Sequence, residues 1–414
     1  MKNLRMQQEM TDRGRLEIRV NTRIQARPVS GARVTVSYTG DPQNVIEELI
    51  TDGDGRTETL DLATPPLEYS LEPNVNQPYS EYTVKVEAEG YELVEVTGSE
   101  LLSGEQSVQQ VDLKLAEGAA FADVTIPDHT LFGEYPAKIP ESEIKPTRES
   151  GEIVLSRVVI PEYIIVHDGA PTDSTARDYY VRYRDYIKNV ACSEIYATWP
   201  DAAIRANILA IMSFTLNRVY TEWYRNKGYD FTITSSTAYD HKWIYGRNIF
   251  DSISLVVDEI FADYLSRPNV KQPILTQYCD GNRVSCPNWM SQWGSKNLAD
   301  QGYSTIQILR NYYGDNMYIN TAEEISGIPS SWPGYDLTIG SSGNKVLQMQ
   351  EQLNVIAEVY SSIPTVYENG YFDEETQDAV EAFQRLFGLP VSGIVDYHGF
   401  FFERRQFLHD ISDP

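Results

Sequence analysis

The stretch YIKNVACSEIYATWPDAAIRANILAIMSFTLNRVY, Tyr186 to Tyr220, decides the architecture of the middle of the chain. Its second half predicts a long helix, Pro200 to Lys227. Ile204, Ile208 and Ile211 make one apolar stripe; Leu209, Met212, Leu216, Val219 and Trp223 make another. A helix apolar on two sides is buried at the centre of its domain. Thr198, with Asp201 three residues on, has the spacing of a capping box. The apolar run Ile187 to Cys192 reads as a strand. Glu194 then stands between strand and helix, beside Ile195, Tyr196 and Trp199. A carboxyl among apolar groups is poorly solvated when charged, so its pKa rises. That makes Glu194 the candidate general acid and base. The alternative is that it caps the helix or pairs with Arg205.

The surrounding sequence extends this helix into an α+β domain, residues 156–322. SRVVIPEYIIVHDG supplies strands, Phe250–Leu265 predicts a second helix, and a third begins near Thr305. Residues 335–411 form a third unit. Val346, Met349, Leu353 and Ile356 make one helical stripe there, and Ala379, Val380, Phe383 and Phe387 another. Upstream, LEIRV, ARVTVSY, YTVKVEAEGY and VQQVDLKL alternate with the period of half-buried strands. With turn signals between them, residues 14–116 read as a β-sandwich. Asp52-Gly53-Asp54-Gly55 reads as a turn, because the carboxylate series of a calcium loop is absent. Residues 117–155, rich in Pro and charge, read as an extended linker. The expected fold is multidomain: an N-terminal β-sandwich, a central α+β domain and a small three-helix C-terminal module.

Composition narrows the function. The 414 residues carry 34 Lys plus Arg against 60 Asp plus Glu, a net charge of −26, with 41% hydrophobic residues. Such a chain has cores, so the acidity belongs to its surface. It disfavours nucleic acid and anionic membranes as partners. Met1 to Val20 lacks the apolar core of a signal peptide, of about 7–15 residues, and no run reaches the roughly 18 apolar residues of a membrane span. The chain holds 28 Tyr but 13 Phe; Tyr suits polar clefts and interfaces. Three Cys are too few for a disulfide scaffold. Cys279 and Cys286, close together in QYCDGNRVSCPNW, read first as reduced thiols in a tight loop, then as a hairpin disulfide, last as metal ligands. Cys192 is expected to be buried.

Three resemblances follow. LTIGSSGNKVLQMQEQLN with ENGYFDEETQDAVEAFQRLFGLPVSGIVD resembles the peptidoglycan-binding type 1 domain over nearly its whole length, which implies binding of cell-wall peptidoglycan. Asp373 and Thr376 can cap its second helix and Phe383 anchors the core, so most of that motif is fold. The Tyr186–Tyr220 stretch and MSQWGSKNLADQGYSTIQILRNYYG, Met290 to Gly314, resemble the stage II sporulation protein D family, or amidase-enhancer domain. PVSGARVTV, TDGDGRT and YTVKVEAEGYE resemble the carboxypeptidase regulatory-like sandwiches, which are accessory modules.

The second resemblance implies lytic transglycosylases acting on glycan stripped of its peptides, with Glu194 at the catalytic position. Such enzymes need one carboxyl, because the sugar's own 6-hydroxyl is the nucleophile; the usual glycosidase pair is not required. Tyr239, Asp240, Tyr245 and Arg247 fall in the family's substrate-facing stretch; Ser291, Gln292 and Trp293 fall in the second motif. Tyr239, Asp240, Ser291 and Gln292 are the candidate substrate-binding residues. Trp289 and Trp293 are either core or sugar platforms. The family's Cys and His are replaced here by Ala238 and Tyr239, so no metal site and no cofactor are expected. His241 is an offset substitute ligand or, on the competing reading, a hydrogen-bonded surface residue.

Three functions compete: a glycan-cleaving wall enzyme, a non-catalytic wall-binding or structural protein of a spore layer or phage-like particle, and an amidase enhancer. The expected partner is peptidoglycan glycan, with a protein partner on the N-terminal sandwich, and the expected location is the cell wall or spore. Because the chain is so acidic, recognition must use shape and aromatic faces, which favours neutral, peptide-stripped glycan.

Overall fold

The structure, a computed structural model, describes residues 11–23, 26–116, 121–145, 155, 157–322, 324–325 and 336–396. The protein is multidomain, with mixed α and β content and three hydrophobic cores.

The N-terminal region is β. Its strands are β1 (Asp12–Thr22), β2 (Arg33–Tyr38), β3 (Asp41–Ile50), β4 (Leu60–Thr64), β5 (Ser80–Glu87), β6 (Leu93–Leu101), β7 (Gln106–Leu113) and β8 (Phe121–Thr125). One sheet runs β3-β2-β5-β6-β8 and the other contains β7-β1-β4. Alternate residues such as Leu16, Ile18, Val34, Val36, Val84 and Val111 point between them into one core, the period-2 burial of a one-sided sheet. At the Asp52 turn, Asp52 Oδ1 accepts the N–H groups of Asp54 and Arg56, both at 2.9 Å. Gly55 there has φ +71°, and a Cβ on it would lie 2.5 Å from the Val20 carbonyl, so only glycine fits.

The middle region adds short strands: β9 (Val159–Ile160), β10 (Tyr163–His167), β11 (Asp178–Arg182), β12 (Ile233–Thr234), β13 (Ile249–Phe250), β14 (Asp263–Ser266), β15 (Tyr278–Cys279), β16 (Met290–Ser291), β17 (Tyr318–Thr321) and β18 (Glu324–Ile325). Its helices are α1 (Tyr183–Glu194), α2 (Asp201–Tyr220), α3 (Asp251–Ile260), α4 (Gln292–Asp300) and α5 (Thr305–Tyr313). The central helix α2 is buried on nearly every side, as its two stripes predict. It stops at Tyr220, short of Lys227. Pro200 precedes it without a side-chain cap, and the Thr198 hydroxyl donates to Ser70 Oγ at 2.8 Å instead. The second helix ends at Ile260, and Asp263–Ser266 pairs as a strand with β17. The third begins on a capping box made by Ser304 and Gln307.

The expected strand Ile187–Cys192 lies inside α1. Tyr183, Tyr186, Ile187, Val190 and Ala191 recur at three and four residues and are all buried, the spacing of one helix face. The six-residue apolar window was too short to separate the two periods.

Where it is described, the segment expected as a linker is packed against the body, Ile126 in the β core and Leu131 in the middle core. Ile126, His129, Leu131, Tyr135, Lys138 and Lys145 are buried; residues 117–120 and 146–154 lie outside the described residues. β13 pairs antiparallel with β7, so the helical region contributes a strand to the N-terminal sheet.

The C-terminal module has helices α6 (Asn344–Val359) and α7 (Glu374–Leu386) over a core that includes Val346, Met349, Leu353, Ile356, Ala379, Val380 and Phe383. Asp373 caps α7, its Oδ1 accepting the Thr376 N–H at 2.9 Å. Among the described residues the module has these two helices, against the three expected, and residues 397–411 lie outside the described residues. No helix among the described residues is long and apolar enough to cross a membrane.

Candidate functional site

Glu194 continues the buried face of α1, three residues beyond Ala191, and it is fully buried. Its Oε1 accepts the Lys242 backbone N–H at 2.6 Å. The Tyr278 hydroxyl donates to its Oε2. Gln292 Nε2 donates to its backbone carbonyl at 3.1 Å. Glu194 neither caps α2 nor pairs with Arg205, which bonds Asp201 at 2.8 Å and also Glu259.

Burial pushes the Glu194 carboxyl up; the Lys138 charge, the Tyr278 hydroxyl and the Lys242 N–H oppose that without cancelling it. Lys138 comes from the packed segment. Its ammonium donates to the Asp240 carbonyl and lies 4.4 Å from the Tyr278 ring centroid, and burial lowers its pKa. The Tyr135 hydroxyl is buried, has no hydrogen-bond partner among the described residues and feels the Glu194 charge. The buried cluster, called the chamber below, therefore contains a carboxyl whose pKa is raised, two tyrosines and a lysine. It is closed to solvent at Glu194, which no sugar oxygen reaches.

The other expected residues divide. Gln292 belongs to the chamber. Ser291 is the N-cap of α4, its Oγ accepting the Gly294 N–H at 2.9 Å, so its hydroxyl is committed to the fold. Asp240 is structural. Its Oδ1 accepts Arg218 Nε at 2.7 Å, and its Oδ2 accepts the Tyr224 hydroxyl at 2.6 Å and the Thr234 N–H at 2.9 Å. Tyr239 enters this cluster through its backbone carbonyl, 3.2 Å from Arg218. Arg247 forms a buried ion pair with Glu100 at 2.6 Å, and Tyr245 stacks on Tyr179; neither meets Glu194. Trp293 packs in the core against Trp199, ring centroids 5.0 Å apart.

His241 is buried, not a surface residue. Its Nδ1 pairs with the Tyr186 hydroxyl at 3.0 Å, and its ring stacks on Tyr278. Among the described residues no group of three or more His, Cys, Asp or Glu is placed to hold a metal ion. Cys279 and Cys286 are joined as a disulfide, which replaces the reduced-thiol reading, and Cys192 is free and buried. The bridge closes the loop that follows Tyr278, while β15 pairs in parallel with β16.

Tyr135, Lys138, Lys242 and Tyr278 are the chamber residues that the sequence did not single out. Lys138 had one signal, a lone cation in the apolar context YPAKIP. The module likewise has two unanticipated polar hubs. Gln350 Oε1 accepts the Gly370 N–H at 2.8 Å and its Nε2 donates to the Tyr371 carbonyl at 3.0 Å. Gln384 Oε1 accepts the N–H groups of Ser392 and Gly393, both at 2.9 Å. Outside this framework Tyr367 and Tyr371 are 78% and 51% exposed.

Comparison with solved structures returns fragments of low similarity. The Bacillus anthracis TIE protein matches with TM-score 0.18 and 18% identity, over 25% of this chain and 17% of that one. GBS52, the minor pilin of Streptococcus agalactiae, matches with TM-score 0.18 and 12% identity, over 28% and 49%. Hydroxyquinol 1,2-dioxygenase of Pseudomonas putida matches with TM-score 0.15 and 15% identity, over 28% and 56%. This chain spans less than two thirds of each, and overlaps this weak carry no functional argument. Comparison with curated proteins gives no match. The family model described as putative peptidoglycan binding domain matches residues 342–398, so the C-terminal module is a peptidoglycan-binding domain.

Proposed function

We propose that this protein binds peptidoglycan through its C-terminal module, with the β and helical regions as a wall-associated body. The family match over residues 342–398 carries the reading. The geometry supports it: Gln350 and Gln384 hydrogen-bond the loop backbone at Gly370 and at Ser392–Gly393, and Tyr367 and Tyr371 present their rings to solvent. An exposed Tyr ring offers an apolar face and a hydroxyl, the pair of features a sugar ring needs. The test is sedimentation with purified wall sacculi. Wild type is expected in the pellet, and Tyr367→Ala with Tyr371→Ala in the supernatant. A double variant that pellets like wild type would remove those rings from the account.

A second reading is glycan cleavage of the lytic transglycosylase type, with Glu194 as acid and base in a domain resembling the stage II sporulation protein D family. The raised Glu194 carboxyl, which accepts from the Tyr278 hydroxyl and the Lys242 N–H, favours it. A protonated carboxyl can protonate a glycosidic oxygen and then act as base. The segment carrying Tyr135 and Lys138 must first leave the chamber. Incubation with peptide-stripped glycan strands is expected to yield 1,6-anhydro ends, by mass spectrometry, with wild type and not with Glu194→Gln. Absence of those ends with wild type leaves binding alone, and the body is then a structural element.

A further inference from the structure

A second concave site lies away from Glu194. A cavity of about 530 Å³ opens where the β region, the helical region and the C-terminal module meet; Val94, Val108 and Val124 line it from the β side, Trp243 and Asp251 from the helical side, and Phe387 from the module. Its size is within the roughly 300–1,000 Å³ of ligand sites, which favour junctions between domains.

Its chemistry is mixed in a specific way. The cations Arg23 and Lys114 share the wall with the acids Glu92, Asp112 and Asp251, while Lys188, also in the wall, is held by Asp258 at 2.6 Å. In a chain of net charge −26, this is a place where cations keep pace with acids. Between the charges lie the short apolar side chains of the strands. Trp243 adds an independent sign. It is 5% exposed, and its indole Nε1 has no hydrogen-bond partner among the described residues. A buried donor without an acceptor is uncommon and costs about 1–3 kcal/mol. A carbonyl or carboxylate oxygen arriving in the cavity would satisfy it.

We infer that this cavity binds a short peptide carrying both a free amine and free carboxylates, the chemistry of the peptide stems of the wall. The inference rests on the wall-binding reading and places the peptide in a site separate from the module's exposed Tyr367 and Tyr371. Charges of both signs suit a zwitterion, the valines suit small side chains, and Trp243 donates to a peptide oxygen. A neutral sugar would leave the charges unanswered.

The test is calorimetric titration of the full-length protein with the soluble stem peptides that an amidase releases from the wall. Saturable binding is expected, and it should weaken with salt. Arg23 and Lys114 are exposed, so Arg23→Glu with Lys114→Glu should keep the melting temperature while lowering affinity about tenfold or more. Trp243→Phe keeps a ring and removes the donor, and should weaken binding by a protein that still unfolds cooperatively. Absence of saturable binding overturns the inference. So does binding indifferent to both variants, or displaced by peptide-stripped glycan. Peptide that fails to bind a protein still retained on intact sacculi overturns this inference alone. Failure of both overturns the wall-binding reading as well.

Discussion

Glu194 is a carboxyl whose neutral form the fold prefers, and that preference has a sign in pH. A raised acid binds its proton more tightly when folded, so folding weakens as pH rises above the unfolded value of about 4.3. Glu194→Gln removes the titration and keeps an acceptor for the Lys242 N–H. Its melting temperature should therefore gain on wild type as pH rises above that unfolded value, as read by thermal unfolding; a difference that does not change with pH would mean that folding does not raise the Glu194 pKa. The residue was legible because its apolar neighbours are adjacent in sequence. Its partners were not, since Lys138 lies 56 residues before it and Tyr278 84 residues after it, and no local period links them. Asp240 and Ser291 were read as ligands for the converse reason. Their motif is local, but its hydrogen bonds close on Arg218, Thr234 and Gly294.

At the scale of elements, the segment over the chamber is held by charge. Glu141 accepts both Arg218 terminal nitrogens, at 3.0 and 2.6 Å, and Lys145 reaches it too. Burial raises the Glu141 pKa, but these cations outweigh it and bring it down to about 2. A depressed acid stabilises the fold above its unfolded pKa, and the stabilisation fades as pH falls from about 4.5 to 2. Proton-exchange protection around Tyr135 and Lys138 should fade over that window. Glu141→Gln should show lower protection already at neutral pH, and little further change. Glu143, paired with Arg267 at 2.6 Å, anchors the same segment. Its Pro-rich composition signalled the absence of helix or strand, and that holds for residues 126–145. Composition does not signal that such a chain lies in a groove, because its ties are to distant side chains. The helix α1 failed in the other direction. Its periodicity starts at Tyr183, outside the run that was read, and a wider window recovers it.

At the scale of the whole molecule, the three regions are joined by specific contacts. Arg247 meets Glu100 across the seam between the β and helical regions, and Asn248 Oδ1 accepts the Glu100 N–H at 3.0 Å. Arg56 donates to the Leu386 carbonyl of the module. Burial, opposed by Arg247, pushes the Glu100 carboxyl up to about 7. Arg247→Met leaves that carboxyl alone and moves its pKa further up, so in denaturant unfolding it should lower stability by an amount that grows as pH rises above about 7. The cost should shrink at pH 5, where a proton neutralises it. The three-part order was legible because strand alternation, helical stripes and the module's spaced motif are each local. The seams were not, because they depend on pairs far apart in the chain. The central claim is that the module holds the protein on peptidoglycan by shape and aromatic contact and not by charge. The most direct measurement is retention of the full-length protein on purified sacculi as salt is raised to about 1 M, where charge attraction is screened within ~3 Å. The account predicts retention that persists at high salt and is lost in Phe383→Ala, whose cavity unfolds the small module at a cost of about 3–5 kcal/mol. Absence of retention, or retention abolished by salt and untouched by Phe383→Ala, would contradict it.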